Sequence, residues 1–277
     1  GASMTTTNLR SLALTGCPLD EALIVDFHVH LERWGRVPYP VAGDGLIAKM
    51  DRVGIRVACV NGILHIVTSD GNQAVADFAR KHPGRVVGIA ALNPFQHRMT
   101  DELKRCVEEF GFRGIKLHAL AGQDHRLGWN VDPREASADW DAVFDMAAEL
   151  RLPIMYHGVV KEADIRNHPA TTFVMAHGLC GLNGECVKRR FAAYSNLFLE
   201  TCYTQNTLWE AEETVRIFGA ARILWGSDAP LSDFAHRLGI ILDLHVPDAD
   251  KRAILGGNAR KLLALDPAKD RLGRPFS

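Results

Sequence analysis

The sequence of 277 residues contains no block of lysine and arginine, and its formal net charge is -1. Proteins that bind nucleic acid or an anionic membrane as their main partner usually carry a basic patch, so we expect neither partner here. No apolar run approaches the roughly 20 residues that cross a bilayer. The first ten residues, "GASMTTTNLR", lack the basic and then apolar order of a signal peptide. We interpret residues 1–3 as an expression scar that precedes a single domain over residues 4–277.

Cysteine is scattered along the chain without any paired motif. None of the six cysteines forms a CxxC motif, so the usual spacing of a structural zinc site is missing. Cys180 and Cys186 are six residues apart on a predicted loop, which is weak evidence for metal binding. We expect reduced cysteines, several of which behave as small hydrophobic residues, in a cytoplasmic protein.

What the sequence does contain is eight apolar runs of strand length, spread along the whole chain. Most of them are almost continuously hydrophobic, which is typical of strands buried on both faces of a parallel sheet. Segments with helical spacing, such as "SADWDAVFDMAAELR", lie between them. Strand and helix alternating eight times predict an α/β fold, a single (β/α)₈ barrel with C-terminal helices that close its outer ring. The longest irregular segment, residues 119–137, follows the fourth strand and is a candidate pocket wall.

Histidine, lysine and aspartate stand at the ends of these runs. The first run, "ALIVDFHVH", ends in two histidines one residue apart, His28 and His30. Residues i and i+2 of a strand face the same way, so these two imidazoles are predicted to project together. The carboxyl ends of barrel strands meet at one rim, where catalytic groups lie. We expect that rim to receive the polar residues that end the fourth, fifth, sixth and eighth runs as well, namely Lys116, His118, His157, His177 and Asp228.

Several imidazoles and a carboxylate that meet at an apolar rim are the ligands that a divalent metal requires. Three or four nitrogen and oxygen ligands, completed by a water, indicate a catalytic site rather than a structural one. Zinc suits imidazole and carboxylate best, and manganese, iron or cobalt also fit them. The alternative is a set of hydrogen-bonded core histidines, which the matching positions on several strands disfavour.

The order of these motifs resembles the amidohydrolase superfamily, and more narrowly its compact amidohydrolase-related branch. The similar segments run from "DFHVHL" through "GIKLHA", "MYHG" and "MAHG" to "WGSDAP" and "ILGGNARKLLAL", and so cover nearly the whole chain. The resemblance implies a distorted (β/α)₈ barrel with one metal ion at its C-terminal rim. It also implies the ligands of that metal: His28, His30, His157 and Asp228.

The resemblance further implies roles for residues around the metal. Asp228 would take a proton from the metal-bound water and pass it on, and His177 would stabilise charge on the substrate. Lys116 lies on the strand where binuclear relatives carry a carboxylated lysine. We favour a single metal and a contact between Lys116 and a substrate carboxylate. The alternatives are a second metal bound by Lys116, or a barrel-core lysine paired with Glu200 or Asp228.

Three further residues are predicted to contact the substrate. His118 follows Lys116 by two residues and therefore points the same way. Arg33 and Trp34 come directly after the two histidines of the first strand. Both are candidates because loops at this end of a barrel line the active site.

The reaction that we expect is hydrolysis of a small lactone, ester or amide that carries a carboxylate. The alternative is non-oxidative decarboxylation of an aromatic or semialdehyde acid, since both kinds of enzyme in the compact branch use the same ligands. Semialdehyde decarboxylases have a glycine-rich run directly after the sixth-strand histidine. The corresponding segment of this sequence, "HGLCGLNGE", does not follow that pattern. A third hypothesis is a barrel that binds metal or ligand without catalysis. The expected partners are a small-molecule substrate and, from the resemblance, a second copy in a homodimer.

Overall fold

The computed structural model describes residues 9, 18–31, 43–62, 71–93, 98–118, 139–157, 160–178, 184–202 and 209–265. These residues contain eight parallel strands, each hydrogen-bonded to the next in the order of the sequence. The predicted (β/α)₈ barrel is therefore confirmed. The strands are β1 (Val25–His30), β2 (Val57–Asn61), β3 (Val86–Ala91), β4 (Ile115–His118), β5 (Ile154–His157), β6 (Phe173–Ala176), β7 (Leu197–Glu200) and β8 (Ile223–Leu224).

Helices separate the strands and pack against their outer faces. In α3, for example, Met99, Leu103 and Cys106 are buried, which is the spacing of one apolar helix face. None of the helices in the described ranges has the length and apolar character needed to cross a membrane. The helices are α1 (Asp44–Val53), α2 (Gly71–Lys81), α3 (Met99–Glu108), α4 (Trp140–Glu149), α5 (Glu162–Asn167), α6 (Glu185–Ala192), α7 (Glu210–Phe218), α8 (Phe234–Asp243), α9 (Asp248–Arg252) and α10 (Asn258–Leu262), and a π-helical turn (Ala253–Gly257) joins the last two.

The barrel closes between β1 and the segment that follows β8. The Phe27 N–H donates to the Trp225 carbonyl at 3.0 Å, and the His30 N–H donates to the Ala229 carbonyl at 2.7 Å. The Asp228 N–H donates to the His28 carbonyl at 2.8 Å. This closure brings the first and last polar strand ends side by side, although they are about 200 residues apart in sequence.

A β-bulge in β1 turns the first histidine into the barrel. Val25 pairs with Val57 at the start of the strand, whereas Val29 pairs with Val60, so β1 contains one extra residue between these pairs. Phe27 packs with Met155 and other residues of the barrel interior, and its neighbour His28 contacts interior polar groups as well. Consecutive residues of a regular strand face opposite sides. The bulge is therefore what allows both to face the interior, as bulges near active sites commonly do.

Candidate metal centre

Two histidines and an aspartate meet at the C-terminal rim of the barrel. The His30 Nε2 lies 2.9 Å from Asp228 Oδ1, and the His28 Nε2 lies 3.4 Å from the same oxygen. All three side chains are almost completely buried. The three potential ligand atoms lie close enough to one another to share one metal ion.

The hydrogen bonds behind these residues fix which nitrogen carries the proton. The His28 Nδ1–H donates to Glu200 Oε2 at 2.8 Å. The Asn61 amide donates to the Val29 carbonyl at 3.1 Å, so its oxygen is the atom that faces His30. The His30 Nδ1–H donates to that oxygen at 2.9 Å. Both imidazoles consequently turn an Nε2 lone pair towards Asp228, as metal-bound histidines do when their other nitrogen is held by a hydrogen bond.

Electrostatics favours a cation at this point. Burial lowers the pKa of His28 and of His30, so a second proton on either ring is disfavoured. Burial opposes ionisation of Asp228, but the pKa of that carboxyl is nevertheless lowered, so the carboxylate form is favoured. Two nitrogen lone pairs and a carboxylate oxygen thus converge, and a divalent cation is the group that such a donor set fits.

Asp26 holds the backbone of the two strand ends that carry these ligands. Its Oδ1 accepts hydrogen bonds from the His28 N–H at 3.1 Å and from the Ser227 N–H at 2.9 Å. Burial raises the pKa of Asp26 to about 7. This side chain therefore ties the backbone of the bulge in β1 to the residue that precedes Asp228.

Lys116 places a buried positive charge beside the cluster. Its Nζ donates to the His28 Nε2 at 2.8 Å, and its side chain is only 1% exposed. Burial lowers the pKa of Lys116 to about 8. The described hydrogen bond of Lys116 is to an imidazole, whereas the negative charges of Asp228 and Glu200 favour its ammonium form. The ammonium is placed to attract an anionic group to the cluster, and its pairing with a carboxylate of the barrel core remains the alternative.

The remaining rim histidines form a second group beside the first. The His157 Nδ1 lies 2.9 Å from the His177 Nε2, and burial lowers the pKa of both rings. The rings of His118 and His157 are stacked with centroids 3.8 Å apart. His157 does not belong to the cluster of His28, His30 and Asp228 in this structure, so its role as a metal ligand stays a prediction.

Two of these residues have a left-handed backbone. His177 has φ 61° and Asp228 has φ 61°, and neither is a glycine. Such conformations are uncommon for other residues and concentrate at functional sites, where the surrounding structure enforces them. The backbone strain at the ends of β6 and β8 therefore marks the same rim as the side chains do.

Two further buried residues belong to the same rim: Glu200, which the sequence offered only as an alternative partner of Lys116, and Cys202, which the sequence did not single out. Glu200 ends β7, and Cys202 follows it by two residues. The Cys202 thiol lies 3.0 Å from Glu200 Oε2 and 2.9 Å from the His177 Nδ1. We predicted that several cysteines behave as small hydrophobic residues, but Cys202 instead contacts polar groups of the rim. The usable signal was the i and i+2 spacing of Glu200 and Cys202 at a strand end, the same spacing as in the first strand.

Gly226 leaves the space that Glu200 needs. A Cβ at this position would lie 2.3 Å from Glu200 Oε1 and 2.9 Å from the His28 Cβ. We expect Gly226→Ala to lower the free energy of unfolding by about 1–3 kcal/mol through overpacking and to weaken metal binding, because Glu200 must move away from His28. Urea unfolding and a metal titration measure the two effects. Gly239→Ala on α8 is the matched control, since nothing lies within 4 Å of its added carbon, and equal behaviour of the two variants would contradict the expectation.

Arg33 and Trp34, which the sequence predicts as substrate contacts, lie outside the described residues. So does the candidate pocket wall, residues 119–137. Their roles remain predictions.

The comparisons with known proteins agree with this architecture. The model of the family described as Amidohydrolase matches residues 25–265. The 2,6-dihydroxybenzoate decarboxylase from Rhizobium shares 18% sequence identity, with a TM-score of 0.71 over 88% of this chain and 99% of that chain. A dihydroxybenzoic acid decarboxylase from Polaromonas sp. JS666, solved with bound manganese and the inhibitor 2-nitroresorcinol, shares 19% identity, with a TM-score of 0.70 over 90% of this chain and 99% of that chain. The 4-oxalomesaconate hydratase from Rhodopseudomonas palustris shares 16% identity, with a TM-score of 0.62 over 87% of this chain and 96% of that chain.

The barrel and the family match indicate a metal-dependent enzyme, and the buried cluster at the C-terminal rim is its candidate site. The chain belongs to the amidohydrolase family, as the match over residues 25–265 shows, and the resemblance seen in the sequence is confirmed. A divalent metal is supported by the cluster of potential ligand atoms. Zinc as the particular metal stays a prediction.

Proposed function

We propose that this protein is a metal-dependent decarboxylase of an aromatic carboxylic acid. The sequence led us to expect hydrolysis first and decarboxylation as the alternative. The similarity to two dihydroxybenzoate decarboxylases over 99% of their length supports the alternative over hydrolysis. The ligand residues alone suit either reaction.

The observation that carries the proposal is the burial of the charged cluster. His28, Lys116 and Asp228 are 0%, 1% and 2% exposed. Decarboxylation turns a carboxylate into neutral carbon dioxide and consumes no water, so it suits a cluster whose side chains are this deeply buried. Hydrolysis needs a water molecule as a reactant at the same place.

The chemistry divides among the residues of the rim as follows. A divalent metal, when bound, supplies a Lewis acid for the oxygen atoms of the substrate. Lys116 attracts the anionic acid into the cluster. The bond between the ring carbon and the carboxyl group breaks, its electron pair stays on the ring carbon, and that carbon takes a proton. We assign this proton transfer to Asp228, whose carboxylate first takes a proton from a hydroxyl group of the substrate and then delivers it to the ring carbon; its backbone hydrogen bond to His28 holds it in place. We assign stabilisation of the developing charge to His177.

Incubation of the manganese-loaded protein with 2,6-dihydroxybenzoate and related hydroxybenzoic acids in D₂O tests the proposal. We expect release of carbon dioxide, and deuterium at the ring carbon that carried the carboxyl group. The same protein is offered a panel of lactones, esters and unsaturated acids. Opening of a lactone or ester without release of carbon dioxide would make the protein a hydrolase, and addition of water to a double bond would make it a hydratase. Either result would overturn the proposal.

A further inference from the structure

We propose that the buried carboxylate of Glu200 fixes the tautomers of two predicted metal ligands, His28 and His157. It contacts His28 directly and reaches His157 through a chain of hydrogen bonds over Cys202 and His177. Glu200 and Cys202 are thus positioning residues for the metal site. The inference rests on the proposed site, in which each of these imidazoles must offer a lone pair to the metal.

The chain begins at Glu200, which is completely buried. A carboxylate only accepts hydrogen bonds, so every polar hydrogen near it points towards it. Its Oε2 accepts the His28 Nδ1–H at 2.8 Å. Its Oε1 accepts the backbone N–H of Cys202 at 2.6 Å, which fixes the orientation of the carboxylate. The first consequence is that the His28 Nε2 keeps its lone pair.

The second link is the thiol of Cys202. Its sulfur lies 3.0 Å from Glu200 Oε2 and 2.9 Å from the His177 Nδ1. A thiol carries a single hydrogen, and an ionised carboxylate accepts hydrogen bonds but has no hydrogen to donate. The Cys202 S–H therefore donates to Glu200 Oε2. The sulfur is then the acceptor for the His177 Nδ1–H.

The third link joins the two histidines. With its hydrogen on Nδ1, the His177 ring presents a lone pair at Nε2, and this atom lies 2.9 Å from the His157 Nδ1. The His157 Nδ1–H therefore donates to His177, and the His157 Nε2 keeps its lone pair. If these hydrogen bonds ran in the opposite direction, His157 would carry its hydrogen on Nε2 and could not bind a metal through that atom.

His30 provides an internal reference for this inference. Its tautomer is set by Asn61, whose amide is oriented by the Val29 carbonyl. No hydrogen bond described for His30 leads to Glu200 or Cys202. Loss of the hydrogen bonds made by Cys202 should therefore leave the tautomer of His30 unchanged.

Nitrogen-15 NMR of the histidine rings in the metal-free protein reads the tautomers directly. We expect the hydrogen on Nδ1 of His28, His30 and His157 in the wild type. Cys202→Ala should give a mixture of tautomers at His157 and leave His28 and His30 as they are. Cys202→Ser should restore His157, because a hydroxyl group can accept from His177 and donate to Glu200. Cys106→Ala is the matched control, since Cys106 is a buried thiol beside Glu102 on α3, outside the barrel.

Manganese affinity, measured from the electron paramagnetic resonance of the free ion, is the second readout. We expect Cys202→Ala to weaken binding by about 10- to 100-fold, as loss of an outer hydrogen-bond partner does, and Cys202→Ser to recover it. A wild-type His157 with its hydrogen on Nε2 would overturn the inference. So would a folded Cys202→Ala protein with unchanged tautomers and unchanged affinity. If the tautomers are as expected but no aromatic acid loses carbon dioxide, the proposed reaction fails and this inference stands.

Discussion

Asp228→Asn is expected to lower the turnover number of the metal-loaded protein by about 10²- to 10⁴-fold, the usual range for loss of a general acid–base group. The asparagine keeps the size of the side chain and the backbone hydrogen bond to His28. It cannot release a proton, and it loses the negative charge that faces His28 and His30. Because a charged ligand is lost as well, manganese affinity should fall too.

Steady-state kinetics at saturating manganese measures this effect separately from metal binding. Asp77→Asn, on the exposed side of α2, is the control for a change of the same chemistry away from the rim. Thermal unfolding of both variants shows whether the fold is kept. Full turnover by a folded Asp228→Asn protein would remove Asp228 from the proton transfer.

Lys116→Met is expected to lower kcat/KM for a carboxylate substrate by about 100-fold, mainly through KM, since removal of one partner of a buried charge pair commonly costs 2–5 kcal/mol. The ammonium of Lys116 is buried at 2.8 Å from the His28 Nε2. It is therefore well placed to pair with an anionic substrate at low dielectric constant. The same change should strengthen manganese binding, because a positive charge next to the cation site is removed.

Lys251→Met is the matched control for the removal of a buried lysine. The Nζ of Lys251 donates to the Leu242 carbonyl near the end of α8, and its described hydrogen bond does not involve any rim residue. Its replacement should lower stability without changing KM. If Lys116→Met also lowered only stability, Lys116 would be a packing residue of the barrel. Loss of one of two bound metal equivalents in Lys116→Met would instead support the alternative of a second metal.

The sequence predicted the fold because the signals for it are local. Each strand is a short apolar run, and a segment with helical spacing separates it from the next run. This alternation along the sequence is enough to indicate the barrel. The positions of Lys116, His157, His177 and Asp228 were read in the same way, since they end such runs. The rule that the carboxyl ends of the strands share one rim then brings them together without any knowledge of loops.

The rest of the site depends on interactions that no local pattern contains. The bulge in β1 follows from the pairing of β1 with β2 and with the segment after β8. The role of Glu200 depends on the space left by Gly226, which follows the neighbouring strand β8. Cys202 resembles a hydrophobic residue in the sequence and becomes polar only through its neighbours. The stacked pair of His118 and His157 likewise depends on the register of β4 and β5.

The most direct test of the central claim is the position of the metal in a crystal of the manganese-loaded protein, located by anomalous scattering. Our account predicts a single strong peak between the His28 Nε2, the His30 Nε2 and the Asp228 Oδ1, within coordination distance of all three. A peak elsewhere in the barrel, or no peak at this position at full manganese saturation, would contradict it.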